Sequence, residues 1–162
     1  MTQGQVLAFD WGRNIIGILN VKTNRYYAYL HEARMIRAAK KIVSSPGTIV
    51  SFNGSRRDLP ELAKILDVGS VTELRMCGKH DDMLEITSSI RWPPDPGTKP
   101  ILGTNLSTTY SHFFGKEFPK RPEYLPEEYD GDELEYVVCN WRDCFMAAAL
   151  WKKWKRGELT AD

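Results

Sequence analysis

The chain has 162 residues, of which 42% are hydrophobic and 27% are charged, a composition typical of a soluble globular domain that we assign to residues 1–162 as one unit. The net charge of +1 argues against a uniformly basic nucleic-acid-binding surface, and three cysteines without CxxC spacing argue against a disulfide framework or a zinc site. No apolar run approaches the roughly 20 residues needed to cross a bilayer, and the opening MTQGQVLAFD lacks the pattern of a secretory signal. We therefore expect a cytoplasmic protein without a membrane segment.

Hydropathy and turn residues predict three strands, then helices alternating with strands, then helices. Strands are predicted at short apolar or β-branched runs, and helices where apolar residues recur every three to four positions. Asp58 heads the second helix, with Pro60 tolerated in its first turn. The predicted strands are 6–9, 14–21, 25–30, 48–52 and 71–76; the predicted helices begin near 31, 58, 82, 105 and 132, with loops at 92–99 and 119–126.

This order of elements predicts the fold class. Three antiparallel strands followed by alternating helices and strands indicate an α/β domain with a mixed sheet that is covered by helices on its faces. The sequence contains no internal repeat and no low-complexity segment that would indicate another architecture.

Three aspartates stand where a carboxylate can be functional. Asp10 ends the first strand, Asp58 begins a helix, and Asp143 lies within the last helix. Each has an ordinary alternative: a turn residue before a glycine, a helix cap, and an exposed helix position. Together the three indicate a carboxylate site that none of them would predict alone.

The segment IVSFNGSRRDLPEL carries the most specific motif. It resembles the second acidic motif of the DnaQ-like, or DEDD, 3′–5′ exonucleases, in which an apolar strand ends in Phe-Asn-Gly and an Asp follows five residues after the Asn, as Asp58 follows Asn53. The segments at 80–84 and 103–115 are similar to later parts of that family, and Asp143 stands where its third motif is expected. The resemblance implies a ribonuclease H-like fold: a mixed five-stranded sheet, its first three strands antiparallel, flanked by helices.

The resemblance also implies a chemistry. Asp10, Asp58 and Asp143 would hold Mg²⁺ or Mn²⁺ against a phosphodiester, where the metal activates water and stabilises charge on the attacking and leaving oxygens. The implied substrate is the 3′ end of single-stranded DNA or RNA. The residues expected to bind it lie in the same motif and are Asn53, Gly54, Arg56 and Arg57.

Two positions depart from the family pattern. The first motif is normally Asp-x-Glu, but Gly12 replaces the Glu and supplies no ligand. The Tyr or His that normally precedes the last Asp by four or five residues is replaced by Cys139 or Val138. The nearest candidates for a replacement carboxylate are Asp82 and Glu85, and those for a replacement base are His80 and His112.

These departures leave three functional hypotheses. The first is an active metal-dependent 3′–5′ exonuclease, with weak activity if a carboxylate ligand is missing. The second is a catalytically degenerate domain of the same fold that binds nucleic acid or a protein partner. The third and least favoured is a resolvase-like endonuclease, because VLAFDWGRNIIGI and the Ala-rich segment after Asp143 are similar to the Holliday-junction resolvase branch, where Asp-x-Gly is expected.

The closing segment WKKWKRG combines two tryptophans with four basic residues. One interpretation is nucleic-acid contact, since basic groups pair with phosphates and aromatic rings stack on bases. The interpretation we favour is a helix end whose tryptophans pack inward while its lysines remain solvated.

Overall fold

In the residues that the structure describes, five strands and five α-helices follow one another along the chain. The structure is a computed structural model that describes residues 4–98, 102–103, 105–117 and 131–161, so the loop predicted at 119–126 lies outside the described residues. The strands are β1 (Val6–Gly12), β2 (Ile15–Asn20), β3 (Tyr26–Leu30), β4 (Thr48–Ser51) and β5 (Lys79–Asp82). The helices are α1 (Glu32–Ser44), α2 (Asp58–Ile65), α3 (Met83–Arg91), α4 (Leu106–Phe114) and α5 (Gly131–Lys155).

The five strands form one mixed sheet with the order β3-β2-β1-β4-β5. The β1–β2 and β2–β3 pairs are antiparallel, whereas the β1–β4 and β4–β5 pairs are parallel. Parallel neighbours need a crossover between them, and helical segments provide it here. The prediction of an α/β domain on a mixed five-stranded sheet, with its first three strands antiparallel and helices at its faces, is confirmed.

Successive side chains of β1 point to opposite faces of the sheet, and helices cover both faces. On one face, Leu7 and Phe9 pack with α1 and α2. On the other face, Ala8 packs in a cluster that includes Cys144, Ala147 and Leu150 of α5. Asp10 is two residues after Ala8 in the same strand, so its side chain also lies on the face of the sheet that packs against α5.

β1 is longer than its parallel partner. Its pairing with β4 runs from Val6 to Ala8, whereas its pairing with β2 continues to Gly12. The last four residues of β1, 9–12, therefore have no strand partner on the β4 side of the described sheet. The backbone N–H and C=O groups on this side of residues 9–12 can therefore form hydrogen bonds with groups outside the sheet.

The fifth strand does not lie where hydropathy predicts it. The strand predicted at 71–76 is wrong, because Val71–Leu74 forms a short 3-10 helix. The strand is Lys79–Asp82, whose sequence is KHDD. Asp81 and Asp82 are buried, but they make hydrogen bonds instead of apolar contacts, so no hydrophobic pattern marks the strand. The helix predicted from residue 82 does form, with Asp82 as its N-cap.

A buried carboxylate holds the turn between β4 and α2. Asp82 Oδ1 accepts hydrogen bonds from the backbone N–H groups of Asn53 (2.7 Å) and Leu84 (3.0 Å), and Oδ2 accepts one from Ser55 (3.2 Å). Asn53 has φ of 65°, a left-handed conformation in which Asn is enriched. The helix α2 then begins at Asp58, as the sequence predicts.

Gly54 has no room for a side chain. An added Cβ would overlap the Ser51 side chain and would lie 3.2 Å from His80 Nε2. Ser51 is fully buried, and its hydroxyl is hydrogen-bonded to His80 Nε2 at 2.7 Å. The glycine of the Phe-Asn-Gly motif is therefore required by packing in this turn.

No helix in the described part of the chain is both long enough and apolar enough to span a membrane.

Gly54→Ala is expected to lower the free energy of unfolding by about 1–3 kcal/mol, because overpacking a filled site forces neighbouring atoms to move. Gly69→Ala is the matched control, since its added Cβ would meet only the flexible Glu73 carboxylate, at 3.2 Å. Urea denaturation of both variants measures the difference. Equal stabilities for the two variants would contradict the packing argument.

Candidate active site

The three predicted aspartates come from three separate elements and meet at one end of the sheet. Asp10 lies in β1, Asp58 is the first residue of α2, and Asp143 lies in α5. Asp10 and Asp143 are half-buried, and Asp58 is only 5% exposed. Asp143 acts electrostatically on both Asp10 and Asp58, and Asp58 acts on Asp10. The fold therefore brings together residues from near the start and near the end of the sequence.

The carboxyl groups of Asp10 and Asp143 are hydrogen-bonded to each other. Burial, followed by repulsion from Asp143 and then from Asp58, raises the pKa of Asp10 well above its ordinary value. Burial also raises the pKa of Asp143, but the hydrogen bond from Asp10 and the positive charge of Arg142 act in the opposite direction. A hydrogen bond between two carboxyl groups requires one proton, so Asp10 and Asp143 share a proton, the arrangement expected of two carboxylates forced together.

Asp58 is the least solvent-exposed of the three. Burial raises its pKa to about 7, and repulsion from Asp82 and Asp143 adds to that effect. The backbone N–H of Trp11 donates to the Asp58 carboxylate and acts in the opposite direction, as does the charge of Arg57. Trp11 lies in the part of β1 that has no partner on the β4 side, so its N–H is available for this bond.

Arg57 supplies positive charge to the whole acidic cluster. Its guanidinium lowers the pKa of each of the three aspartates, which requires it to lie near all of them. Arg57 also stands directly before α2 and is exposed, so the same side chain can meet a ligand from solvent. The site therefore combines buried negative charge with a positive group at its mouth.

A cleft of about 610 Å³ opens beside Asp58. Its lining carries four cations against two carboxylates, Asp58 and Glu61. Two of the cations have acidic neighbours: Arg56 lies 3.5 Å from Glu85, and Lys64 lies 3.4 Å from Glu61. The full lining is Trp11, Gly12, Arg13, Arg56, Arg57, Asp58, Pro60, Glu61 and Lys64.

The residues predicted to bind substrate fall into two groups. Arg56 and Arg57 line the cleft beside Asp58. Asn53 and Gly54 lie in the preceding turn, where the Asn53 backbone N–H donates to Asp82 and Gly54 packs on Ser51. Asn53 Oδ1 is buried without a hydrogen-bond partner. Substrate contact by these four residues stays a prediction.

The candidates for a replacement carboxylate or base have other partners. Asp82 accepts three backbone hydrogen bonds, and Glu85 lies beside Arg56. His80 is bonded to Ser51, and burial lowers its pKa. His112 lies on α4, edge-on to Phe113.

Sequence reasoning did not predict several residues that line this site. Trp11, Arg13, Glu61 and Lys64 line the cleft, and Asn140 of α5 contacts Asp10. Asn140 stands three positions before Asp143, which places it on the same helix face and is a signal that could have indicated it. The four cleft residues carry no local signal that separates them from ordinary surface residues.

The donor chemistry of the cluster fits Mg²⁺ or Mn²⁺, since carboxylate oxygens are the ligands these ions prefer and waters complete their shells. In the described residues, no group of three or more histidine, cysteine, aspartate or glutamate side chains is already arranged around a metal position. The shared proton between Asp10 and Asp143 would have to leave when an ion binds, because metal ligands must be deprotonated.

No protein-family model matches the chain, and comparison with curated proteins found no match.

The stability of the metal-free protein is expected to fall as pH rises. In the folded state Asp58 has a pKa of about 7, above its ordinary 3.8, so the folded chain binds protons more tightly than the unfolded chain. The stabilisation is complete below the ordinary pKa and is lost as pH rises through about 7. The raised pKa values of Asp10 and Asp143 act with the same sign.

Asp58→Asn removes the part of that pH dependence that is due to Asp58. In EDTA at pH 8 the variant is expected to be more stable than the native chain by on the order of 2–4 kcal/mol, since one pKa unit corresponds to about 1.4 kcal/mol. At pH 4 the two proteins should be equally stable. Denaturant midpoints at both pH values measure this, with exposed Asp95 as the control in Asp95→Asn. A variant no more stable than the native chain at pH 8 would show that Asp58 is not a strained carboxylate.

Proposed function

We propose that the protein is a metal-dependent phosphodiester hydrolase of ribonuclease H-like fold, related to the DnaQ-like 3′–5′ exonucleases. The observation that carries the proposal is the convergence of Asp10, Asp58 and Asp143 from β1, α2 and α5 beside a cationic cleft. Acidic groups are rarely buried against one another unless a cation or a proton compensates them, so such a cluster indicates a functional site.

The arrangement of the sheet supports the fold assignment. Its first three strands are antiparallel, and the fourth and fifth extend it in parallel beyond β1, which is the architecture that the resemblance implies. The proposal is also supported by the elements that carry the aspartates, which are the first strand, the start of the helix after Phe-Asn-Gly, and the helix α5.

The charges of the cleft support a phosphate-bearing substrate. Arg13, Arg56, Arg57 and Lys64 would hold the backbone phosphates of a nucleic acid strand, and Trp11 offers an aromatic ring in the same lining. Arg57 lies nearest the aspartates and would hold the reacting phosphate, since it acts on all three of them. The cleft thus presents the strand to the acidic cluster.

The chain's own residues divide the work of the reaction. Asp10, Asp58 and Asp143 would hold Mg²⁺ or Mn²⁺, which when bound supplies an activated water and stabilises developing charge. Arg57 would neutralise part of the charge on the phosphate in the transition state. Gly12 stands where the family pattern has a Glu, so the fourth carboxylate ligand is missing and we expect weak activity.

The experiment is cleavage of labelled single-stranded DNA and RNA in the presence of Mg²⁺ or Mn²⁺. The native chain is expected to shorten 3′ ends, whereas Asp143→Asn should reduce the rate at least 100-fold, because it removes a ligand that no neighbour replaces. Asp95→Asn, at an exposed loop position, is the matched control and should leave the rate unchanged.

A four-way DNA junction without free 3′ ends separates the hydrolase hypotheses. A 3′–5′ exonuclease leaves it intact, whereas the resolvase-like alternative cuts it internally. Absence of cleavage with both ions and both nucleic acids would sink the hydrolase proposal.

A specific observation supports a second candidate, the non-catalytic nucleic-acid-binding domain. Arg57 and the proton shared by Asp10 and Asp143 already compensate part of the negative charge of the cluster. A site compensated in this way stays folded without a metal ion, so the cationic cleft could serve binding alone.

Both candidates predict that charge reversal in the cleft weakens binding of single-stranded nucleic acid. Arg13→Glu and Arg56→Glu should each lower affinity, and each should reduce the slope of log K against log salt by about 0.7, the value for one phosphate contact on a single strand. Lys40→Glu, an exposed position on α1, makes the same charge change away from the cleft. Fluorescence anisotropy across a salt series measures the effect, and equal losses in all three variants would show that only net charge matters.

A further inference from the structure

Asn140 is a buried amide whose two ends have fixed partners. Its Nδ2 donates to the backbone oxygen of Asp10 at 2.9 Å and to Asp10 Oδ2 at 3.2 Å. Its Oδ1 accepts a hydrogen bond from the Tyr26 hydroxyl at 2.6 Å. Because a backbone carbonyl can only accept, the amide nitrogen must face Asp10, and the amide oxygen must then face Tyr26.

The surrounding backbone leaves space for this amide. Gly17 pairs with Asp10 in the β1–β2 ladder, and a Cβ at Gly17 would overlap Asn140 Oδ1. The thiol of Cys144, one turn further along α5, is also buried and lies 3.9 Å from Asn140 Oδ1. A side chain with so little free volume cannot rotate without disturbing its neighbours.

Asn140 and Asp143 approach Asp10 from the same helix. Asp143 is hydrogen-bonded to the Asp10 carboxyl group, and Asn140 binds its Oδ2. Tyr26 belongs to β3, so two elements besides its own strand, α5 and β3, set the direction of the Asp10 carboxyl group. Side chains that orient a metal-binding residue in this way are usually as necessary for affinity as the ligand geometry itself.

We propose that Tyr26 and Asn140 form a hydrogen-bonded relay that fixes the Asp10 carboxyl group for metal binding, with Asn140 as a positioning residue of the acidic site. The inference rests on the proposed function, since it assigns Asp10 the role of a metal ligand. It adds two residues that the motif resemblance does not supply and that do not themselves touch the metal.

Isothermal titration of the full-length chain with Mn²⁺ tests the relay. Asn140→Leu keeps the side-chain size but removes the two hydrogen bonds to Asp10 and the one from Tyr26. It should weaken Mn²⁺ binding about 10–100-fold. Tyr26→Phe should weaken it less, because the amide keeps its bonds to Asp10. The double variant should bind no worse than Asn140→Leu alone, since both changes act through one contact.

Tyr27→Phe is the matched control. Tyr27 is the next residue of β3 and is 50% exposed, so loss of its hydroxyl should leave Mn²⁺ affinity unchanged. If Asn140→Leu and Tyr26→Phe both bind Mn²⁺ within twofold of the native chain, the relay is wrong. If Asn140→Leu does not fold, the relay is tested by comparing the Mn²⁺ affinity of Tyr26→Phe with that of Tyr27→Phe.

A second measurement separates failure of the relay from failure of the proposed function. In the metal-free protein, the relay predicts that Tyr26→Phe moves both the side-chain amide signals of Asn140 and the carboxyl ¹³C signal of Asp10, whereas Tyr27→Phe moves neither. If these signals move but the native chain binds no Mn²⁺, the positioning contact stands and the metal-dependent function fails. Unmoved signals in Tyr26→Phe overturn the relay whatever the metal affinity.

Discussion

The mutual repulsion of three partly buried carboxyl groups is the constraint on which the site depends. Water would screen such charges at the surface, but at the end of β1 burial raises the pKa of all three groups. In addition, Asp143 raises the pKa of Asp10 and of Asp58, and Asp58 raises that of Asp10. Such an arrangement persists only if something offsets it. Asp10 and Asp143 share a proton, Arg57 supplies positive charge, and a divalent cation would do both tasks at once. The fold holds the three carboxyl groups together. Whether a proton, Arg57 or a divalent cation compensates their charge decides which reaction or binding the site can support.

Hydrogen-bond donors distinguish Asp82, which holds a turn, from Asp58, which is a candidate metal ligand. Asp82 and Asp58 are both buried and both stand at helix N-termini. Asp82 accepts hydrogen bonds from three backbone N–H groups, which tie the β4–α2 turn to the start of α3. Asp58 receives the N–H of Trp11, and burial outweighs that bond. A buried carboxylate with few donors is the one prepared to accept a proton or a cation.

Much of the fold could be predicted because the elements that carry it have strong local patterns. The first three strands and the helices α1, α2 and α4 follow from apolar spacing, turn residues and caps, and the Asn105 side chain does accept from Thr108 N–H as an N-cap. The positions of the three aspartates followed from a motif. Contacts such as Asn140 with Asp10 could not be predicted, because they join residues 130 positions apart and depend on packing.

The tryptophans at the end of α5 support the structural interpretation of the closing segment. Trp151, a residue of α5, packs against the core cluster that contains Cys144 and Leu150. Its Nε1 donates a hydrogen bond to Asp81 at 2.9 Å. Lys155 lies over both rings, at 5.7 Å from Trp151 and 5.0 Å from Trp154. The rings are thus partly covered by the chain's own cations, as expected of snorkelling lysines.

The polar composition of β5 has a consequence for how copies of the protein behave towards one another. β5 ends the sheet, so the row of backbone groups on its outer side is a template for strands from other molecules. The strand is only four residues long, and the exposed ammonium group of Lys79 lies 3.4 Å from the buried carboxylate of Asp81. Short length and charge are devices by which natural sheets prevent edge-to-edge aggregation. The charged residues that hide this strand from a hydropathy pattern are also the ones that disfavour pairing of its outer edge with a strand of another molecule.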